Sequence, residues 1–414
     1  MTEHEHPVWN GNGRRRLLRW SELRPLIGLR APRWGSRARL EAAGSIEEVR
    51  RLARRRMPRA VFDYVDGAAE AEISLERMHA AFGRVEFRPR VLEDVSEVSM
   101  ATTIMGEPAS MPVVFAPTGF TRMMHPAGER AVAQAAAEAG IPYTLSTMAT
   151  TTPESVAEAA PDGRHWFQLY VCRDRGVSND LVARAAACGF GVLVLTVDTP
   201  VTGARLRDVR NGLTIPPSLS VRTLADMGRH PKWWLNLMTS EPLTFASLTS
   251  TDGSVADMAD RLFEPSLTLA DIEWIRGIWP GRLVVKGVQT VEDARRVVAA
   301  GVDGLVLSNH GGRQLDRAPT PLEELAPVVD AVGDDAEVML DGGIKSGADV
   351  VAAVALGARA CLVGRGYLYG LMVGGHTGVQ RVAAILRTDI ERTMKLVGVV
   401  NVQALGPEHA RLRA

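Results

Sequence analysis

Ser308-Asn309-His310-Gly311-Gly312-Arg313-Gln314-Leu315-Asp316 puts a histidine and an arginine three residues apart across two glycines. The apolar run before it, residues 304–307, reads as a buried strand, so both side chains stand just past a strand's C-terminal end. Histidine can take a proton near neutral pH. Arginine can hold a carboxylate through two parallel hydrogen bonds. The glycines let the backbone turn sharply and approach a flat ligand. The pair suits a site that binds an acid and removes a proton from it. Taken alone, it equally describes a polar loop with a capping histidine and a surface arginine.

Other chemistry-bearing residues occur at corresponding places along the chain. Eight short apolar runs, at residues 113–116, 143–145, 166–169, 192–197, 283–285, 305–307, 338–340 and 361–363, alternate with Ala/Val-rich stretches of helical period. That alternation predicts parallel strands with right-handed crossovers, and eight units predict a closed (β/α)8 TIM barrel. An open doubly wound sheet is the structural alternative. The strands end, in order, in Pro117-Thr118-Gly119, Ser146-Thr147, Gln168-Leu169-Tyr170, Thr196-Val197-Asp198, Lys286-Gly287, Ser308-Asn309-His310, Asp341-Gly342-Gly343-Ile344-Lys345 and Gly364-Arg365-Gly366. Eight such ends on one rim make a polar, ligand-bearing pocket. The last two offer backbone N–H groups and a guanidinium to a phosphate. Lys286 is a buried cation that needs an anionic partner. Ser146, Gln168, Thr196 and Ser308 can hydrogen-bond a heteroaromatic ring. Flavin mononucleotide meets these requirements; a simple phosphorylated sugar is the alternative ligand.

Ahead of the barrel, Ser45 has the form of an N-cap with acidic residues in the following turn, which predicts helices over 46–56 and 59–66. Residues 1–44 read as a basic arm, carrying Arg14, Arg15, Arg16, Arg19, Arg24, Arg30, Arg33, Arg37 and Arg39 with interleaved tryptophans. Such an arm fits an anionic membrane surface, a partner subunit or a solvated tail. Residues 45–414 form the expected barrel domain. A long insertion, about residues 199–282, follows the fourth strand and holds Trp233 and Trp234. It is expected to be a lid or docking element. Its indoles suit either a membrane interface or an anchor onto the barrel.

The whole-chain balance is 48 basic against 48 acidic residues, which gives no reason to expect nucleic acid as partner. Cys172, Cys188 and Cys361 are scattered, so neither a disulfide framework nor a zinc site is expected, and a reducing cytoplasm fits. No G-x-G-x-x-G opens a helix after the first strand, no H-E-x-x-H or carboxylate cluster signals a metal, and no G-x-S-x-G suggests hydrolysis. No apolar run is long enough to span a bilayer.

The 308–316 stretch resembles the active-site signature of the FMN-dependent 2-hydroxy-acid oxidoreductases, which include glycolate oxidase, lactate oxidase and mandelate dehydrogenase. The similarity runs from about Ser45 to the C-terminus through Phe62-Asp-Tyr-Val-Asp-Gly-Ala-Ala-Glu70, Ala116-Pro-Thr-Gly119, Phe167-Gln-Leu-Tyr170, Leu195-Thr-Val-Asp-Thr-Pro200, Val285-Lys-Gly287, Asp341-Gly-Gly343 and Val363-Gly-Arg365. Gly203-Ala-Arg-Leu-Arg-Asp208 and His230-Pro-Lys-Trp233 resemble the L-lactate dehydrogenase branch. The resemblance implies that His310 is the base and that Asp198 stabilises its imidazolium. It implies that Tyr64, Arg205 and Arg313 hold the substrate carboxylate and that Tyr170 hydrogen-bonds the substrate oxygen. The α-hydrogen would pass to flavin N5, and Lys286 would lie near flavin N1. Three positions depart from the plant-oxidase pattern: Gly119 for alanine, Lys345 for arginine, and Met148 for a bulky aromatic.

The expected activity is therefore oxidation of an L-2-hydroxy acid, with L-lactate to pyruvate preferred, and electrons passed to a quinone. The expected location is cytoplasmic, peripheral on the inner membrane. The family implies a homotetramer or larger. Alternatives are an oxygen-using oxidase or lactate monooxygenase, an FMN barrel acting on a larger, peptide-derived substrate, and a non-catalytic flavin-binding protein.

Overall fold

The computed structural model describes residues 35–213, 220–246 and 264–413. Eight parallel strands close into a barrel: β1 (Val113–Phe115), β2 (Tyr143–Ser146), β3 (His165–Leu169), β4 (Val192–Thr196), β5 (Arg282–Val288), β6 (Gly304–Leu307), β7 (Glu337–Asp341) and β8 (Cys361–Val363). They follow one another around the barrel in chain order, and Cys361 pairs with Val113 to close it. All eight predicted strands are present.

The strands are apolar on both faces because both are covered. Val114, Trp166, Val194, Val284, Val306, Met339 and Leu362 fill the interior. Their neighbours Val113, Phe115, Leu193, Leu195, Val285, Leu305 and Leu340 pack outward on the helices. The N-terminal mouth is stopped by a hairpin, Thr102–Ile104 paired with Glu107–Ala109, whose two-residue turn, Met105-Gly106, has both φ positive. Ile104 and Met105 from this hairpin join the interior cluster. Closing that mouth leaves the C-terminal rim as the open end.

The helices before the barrel reach that rim. Ser45 caps helix Ile46–Arg56, its Oγ accepting from Glu48 N at 3.2 Å, as expected. Helix Arg59–Asp66 follows, then Ile73–Gly83. Of the span expected to be the arm, residues 35–44 are described. Ser36–Ala42 is a helix, and its Leu40 is buried against helix Arg365–Gly374, because one leucine in a basic stretch has an apolar surface to cover. Residues 1–34 of the arm lie outside the described residues.

The interval after β4 also differs from expectation. Helix Ala270–Ile278, within the span read as insertion, is the crossover helix leading into β5. The inserted part carries helices Leu206–Asn211, Val221–Gly228 and Pro231–Thr239. Trp233 is buried and donates its indole N–H to the Met123 carbonyl at 2.8 Å, while Trp234 is partly buried. The indoles therefore anchor the insertion onto the barrel. Among the described residues of this span, exposed apolar side chains include Val201, Leu206 and Val209 near its start and Val221, Leu224, Leu235 and Met238 on the later helices. The serine- and threonine-rich stretch read as a loop lies partly outside the described residues. No described helix is long and apolar enough to cross a membrane.

Candidate active site

The chain leaves β6 through a strained turn. His310 has φ 59, followed by Gly311 at 63 and Gly312 at 75. A non-glycine residue in the left-handed region costs energy, and such strain tends to accompany function. Two bonds hold it. The His310 backbone N–H donates to Ser308 Oγ at 3.0 Å, and Asn309 Oδ1 accepts from Gly312 N at 3.1 Å. The imidazole thus projects over the rim, with Nδ1 3.0 Å from Asp198 Oδ1 and 3.3 Å from Oδ2. Asp198 comes from the end of β4, across the mouth. Gly287, at φ 110, makes room for it, since a Cβ there would lie 2.7 Å from Asp198 Cβ. On the other side of the ring, Nε2 lies 3.4 Å from the Tyr170 hydroxyl.

This geometry fixes the protonation pattern. Burial pulls the His310 imidazolium below the ordinary histidine value, the Asp198 carboxylate opposes it, and Lys286 and Arg205 push further down. His310 is a neutral base at pH 7, with Nδ1–H donated to Asp198 and the Nε2 lone pair facing the cavity. Burial would raise the Asp198 carboxyl, but the His310 ring and Lys286 outweigh it and hold it ionised. Burial drives the Tyr170 phenol well above its usual value, so it stays a donor.

Arg313 lies beside this pair. Its guanidinium sits 5.1 Å from the centre of the Tyr64 ring and donates to the carbonyls of Tyr64 and Gly67 at 2.6 and 3.1 Å. Burial, and then the like charge of Arg205, disfavour its cation. Arg205 has a buried Nε–H with no partner among the described residues. Two guanidinium groups facing one space with unspent donors call for an anion. Asp208, buried nearby, is pushed up to about 6 by burial, against the pull of Arg313 and Arg205.

Opposite, Lys286 finds the anion it needs. Its Nζ lies 2.8 Å from Asp341 Oδ2 and donates to Ser308 Oγ at 2.9 Å, and Ser308 donates on to Asp341 at 3.0 Å. Burial alone would depress Lys286, yet Asp341 and Asp198 together hold it above the ordinary lysine value. The Gln168 carbonyl accepts from Ser146 Oγ at 3.0 Å and Thr147 N at 3.3 Å. Its Nε2, and Thr196 Oγ1, are buried without partners among the described residues.

The cavity between these groups has a volume of about 360 Å³. It brings together Tyr64, Pro117, Thr118, Gly119, Ser146, Tyr170, Thr196, Arg205, Lys286, His310, Arg313, Asp341, Gly342, Gly343, Ile344, Lys345, Gly364 and Arg365. Asp198, Gln168 and Ser308 stand behind this lining. Arg365 is partly committed: its Nε donates to Val65 O at 2.9 Å and its Nη2 to Gly67 O and Gly311 O at 2.9 and 2.8 Å.

Several residues that matter here were not singled out from the sequence. Arg50 and His79 line the same cavity from the helices before the barrel. Burial, with Lys345, Arg365 and Arg50 nearby, pushes His79 down to about 4. Three cations, Arg50, Lys345 and Arg365, with the neutral His79 ring among them, form a phosphate-sized electropositive pole at one end of the cavity. Behind it Asp66 receives Arg50 Nε at 2.5 Å, the Tyr369 hydroxyl at 2.8 Å and Arg207 at 3.3 Å, which locks helix Arg59–Asp66 and hence Tyr64. Gln314 was overlooked as a brace. Its Nε2 donates to Asp198 O at 3.1 Å and Val201 O at 2.9 Å, tying the loop after β4 to the loop after β6. Asp316 caps helix Ile73–Gly83, accepting from Ser74 N at 2.8 Å. Only the position of Gln314 and Asp316 within the signature pointed to them.

A TIM barrel with a histidine–aspartate pair, paired guanidinium groups and a buried lysine on its C-terminal rim belongs to a flavin-using class of oxidoreductase rather than to sugar-phosphate enzymes. The unpartnered Gln168 Nε2 and Thr196 Oγ1 suit a heteroaromatic edge, and the basic pole suits its phosphate, so the residues present fit FMN. Comparison with known proteins agrees. The FMN-dependent dehydrogenase family profile matches residues 53–412. A Mycobacterium tuberculosis protein provisionally named as an L-lactate dehydrogenase is 54% identical over 95% of this chain and 96% of its own length. A Nostoc L-lactate oxidase is 41% identical over 86% of this chain and 94% of its own. The crystal structure described as the monotopic membrane protein (S)-mandelate dehydrogenase superposes with a TM-score of 0.86 at 39% identity, covering 90% of this chain and all of that one. The chain belongs to the FMN-dependent dehydrogenases. It is a flavoprotein oxidoreductase acting on small 2-hydroxy acids with FMN as cofactor.

Proposed function

We propose that this protein oxidises L-lactate to pyruvate and delivers the electrons to a quinone. The single observation carrying the reaction is the His310–Asp198 pair, 3.0 Å apart, set beside two guanidinium groups across one cavity. Arg313 and Arg205 hold the substrate carboxylate, with the Tyr64 ring beneath Arg313. Nε2 of His310 takes the hydroxyl proton, and Asp198 stabilises the imidazolium that results. The Tyr170 hydroxyl donates to the substrate oxygen. Lys345, Arg365, Arg50 and the Gly342-Gly343 backbone would hold the FMN phosphate, Pro117, Thr118 and Gly119 would border the flavin, and Lys286 would supply positive charge beside it. When bound, FMN supplies the two-electron acceptor for the substrate's α-hydrogen.

L-lactate is preferred because the relative at 54% identity carries that name. Met148 is only partly buried and lines the pocket, which leaves space for a small aliphatic side chain. Anaerobic mixing of the holoenzyme with L-lactate, glycolate and (S)-mandelate, following flavin absorbance, tests this. Fastest bleaching by mandelate would overturn the lactate assignment. Oxygen as acceptor is the second reading, favoured by the oxidase relative at 41% identity. Equal turnover in air with and without added quinone would support it.

A peripheral position on the cytoplasmic face of the inner membrane completes the reading. The exposed Val221, Leu224, Leu235 and Met238 give the insertion an apolar outer face, and a close structural neighbour is described as monotopic. Leu235→Ser with Met238→Ser should move activity from the membrane to the soluble fraction. Soluble wild-type activity at low salt would refute the attachment.

A further inference from the structure

A second cavity, of about 430 Å³, lies outside the flavin site, between helix Ile46–Arg56, the segment after β1 and helix Pro231–Thr239. That volume is ordinary for a small-ligand pocket. Its charge is not ordinary. Arg39, Arg55, Arg56, Arg122, Arg229 and Lys232 line it, and among the described residues no aspartate or glutamate does. Arg122 is satisfied, donating to Thr150 O at 3.3 Å and to Glu241 O at 2.6 Å, with the Glu241 carboxylate 3.7 Å from its guanidinium. Arg56 is half-buried and has no hydrogen bond or carboxylate partner among the described residues, and burial pulls its guanidinium below the usual value. His125 faces the same space. Its Nδ1 accepts from Ala127 N at 3.2 Å, so the neutral ring presents Nε2–H as a further donor. The other wall is apolar: Leu52, Met57, Met123, Leu237, Leu243 and Val373.

Arg39, Arg55, Arg229 and Lys232 are exposed and solvated, but the half-buried Arg56, without a carboxylate partner among the described residues, faces a concave, half-apolar space in which an anion would compensate its charge. We propose that this cavity binds a phosphate group borne by an amphiphile, with the phosphate at Arg56 and His125 and the apolar body along Leu237 and Met123. Guanidinium donors suit phosphate oxygens. Helix Pro231–Thr239 connects the cavity to the outer apolar face. Trp233, Asn236, Leu237 and Ser240 line the cavity, while Leu235 and Met238 point to solvent. An anionic phospholipid headgroup is thus reachable from a bilayer touched by Leu235 and Met238. The lipid form of the proposal rests on the membrane-docking reading above; the phosphate site itself does not.

The test uses the FMN-saturated holoenzyme, so that the cofactor's phosphate site is filled. Thermal unfolding is compared in sodium phosphate and in sodium chloride of equal ionic strength, and co-sedimentation with phosphatidylcholine vesicles is compared with and without phosphatidylglycerol. Phosphate should raise the midpoint of the wild type, and phosphatidylglycerol should raise vesicle partition about tenfold. Arg56→Gln/Lys232→Gln should lose both gains, while Arg54→Gln/Arg77→Gln, which removes the same charge elsewhere, keeps them. Flavin bleaching by L-lactate should be unchanged in both. Leu235→Ser/Met238→Ser should lose vesicle binding yet keep the phosphate shift, which separates failure of docking from failure of the site. A phosphate shift without a phosphatidylglycerol gain identifies a soluble phosphate as the ligand. If the cavity variant and the control respond alike to phosphate and to phosphatidylglycerol, the proposal is wrong.

Discussion

Asp198→Asn isolates the base from its partner while keeping shape and burial. The Asp198 side chain is only 2% exposed, and its carboxylate lies 3.0 Å from His310 Nδ1. When His310 takes the substrate proton, an imidazolium forms beside that carboxylate. At a charge separation near 4 Å and an effective dielectric near 20, such a pair gains about 4 kcal/mol. Each 1.36 kcal/mol is tenfold in rate, so its loss slows flavin reduction by about 10³-fold. Substrate affinity should change only a few-fold, because Asp198 does not face the carboxylate. The pH profile adds a signed test. The neutral imidazole is active, so rate falls as pH drops through the His310 value. Burial already holds that value below the ordinary ~6.5, with Asp198 opposing. Without Asp198 the acid limb should move to still lower pH even as the plateau falls. Stopped-flow reduction under anaerobic conditions reads both. A plateau within about fivefold of wild type, or an acid limb moved to higher pH, would refute the assignment of His310 and Asp198.

Three further predictions concern the scaffold. Arg50→Gln removes the strongest partner of Asp66, whose carboxyl burial would raise but Arg50, Tyr369 and Arg207 hold low. Because Arg50 is about a third exposed and Arg207 remains, the expected loss is about 1–2 kcal/mol at pH 7, with weaker FMN retention. A depressed carboxylate contributes stability above its unfolded value and loses it below, so the difference from wild type in thermal midpoint should shrink as pH falls below about 4. Gly378→Ala would place a Cβ 1.8 Å from the Gly370 carbonyl where helices Arg365–Gly374 and His376–Val397 cross, so the helices must separate. Calorimetry should show a loss of about 3 kcal/mol, with flavin reduction per bound FMN little changed. Trp233→Phe orphans the Met123 carbonyl and should cost about 1–3 kcal/mol locally. Faster proteolysis within residues 220–246, at an unchanged global midpoint, is the expected readout.

What the sequence displayed, and what it hid, follows from how far each contact reaches. A barrel strand has a period and a polar stop, so all eight were visible, and their ends marked the rim. His310 and Arg313 could be read there because they follow the end of β6 within one short signature, and Lys286 because it is a lone cation near the C-terminal end of the apolar β5. Arg50 and His79 could not. They lie on amphipathic helices more than 200 residues from the Asp341-Gly-Gly loop, where a helix's polar face and a cofactor pole have the same pattern. The insertion misled in a similar way. A Trp-Trp pair in a helix has one side chain for each of two faces, and only packing decides which face is covered. Trp233 went inward because the Met123 carbonyl needed a donor, which left Leu235 and Met238 outside.

The same reasoning says why the site is held from several elements at once. His310 sits in a left-handed turn that no isolated peptide would keep. Ser308 holds its amide, Asp198 its ring, and Gln314 ties the Asp198 loop back to the turn. Ser308 is also the hydroxyl between Lys286 and Asp341. One serine thus links the base to the buried lysine at the flavin. Moving either group disturbs the other, so the proton-accepting and electron-accepting sides of the cavity are built as one rigid unit.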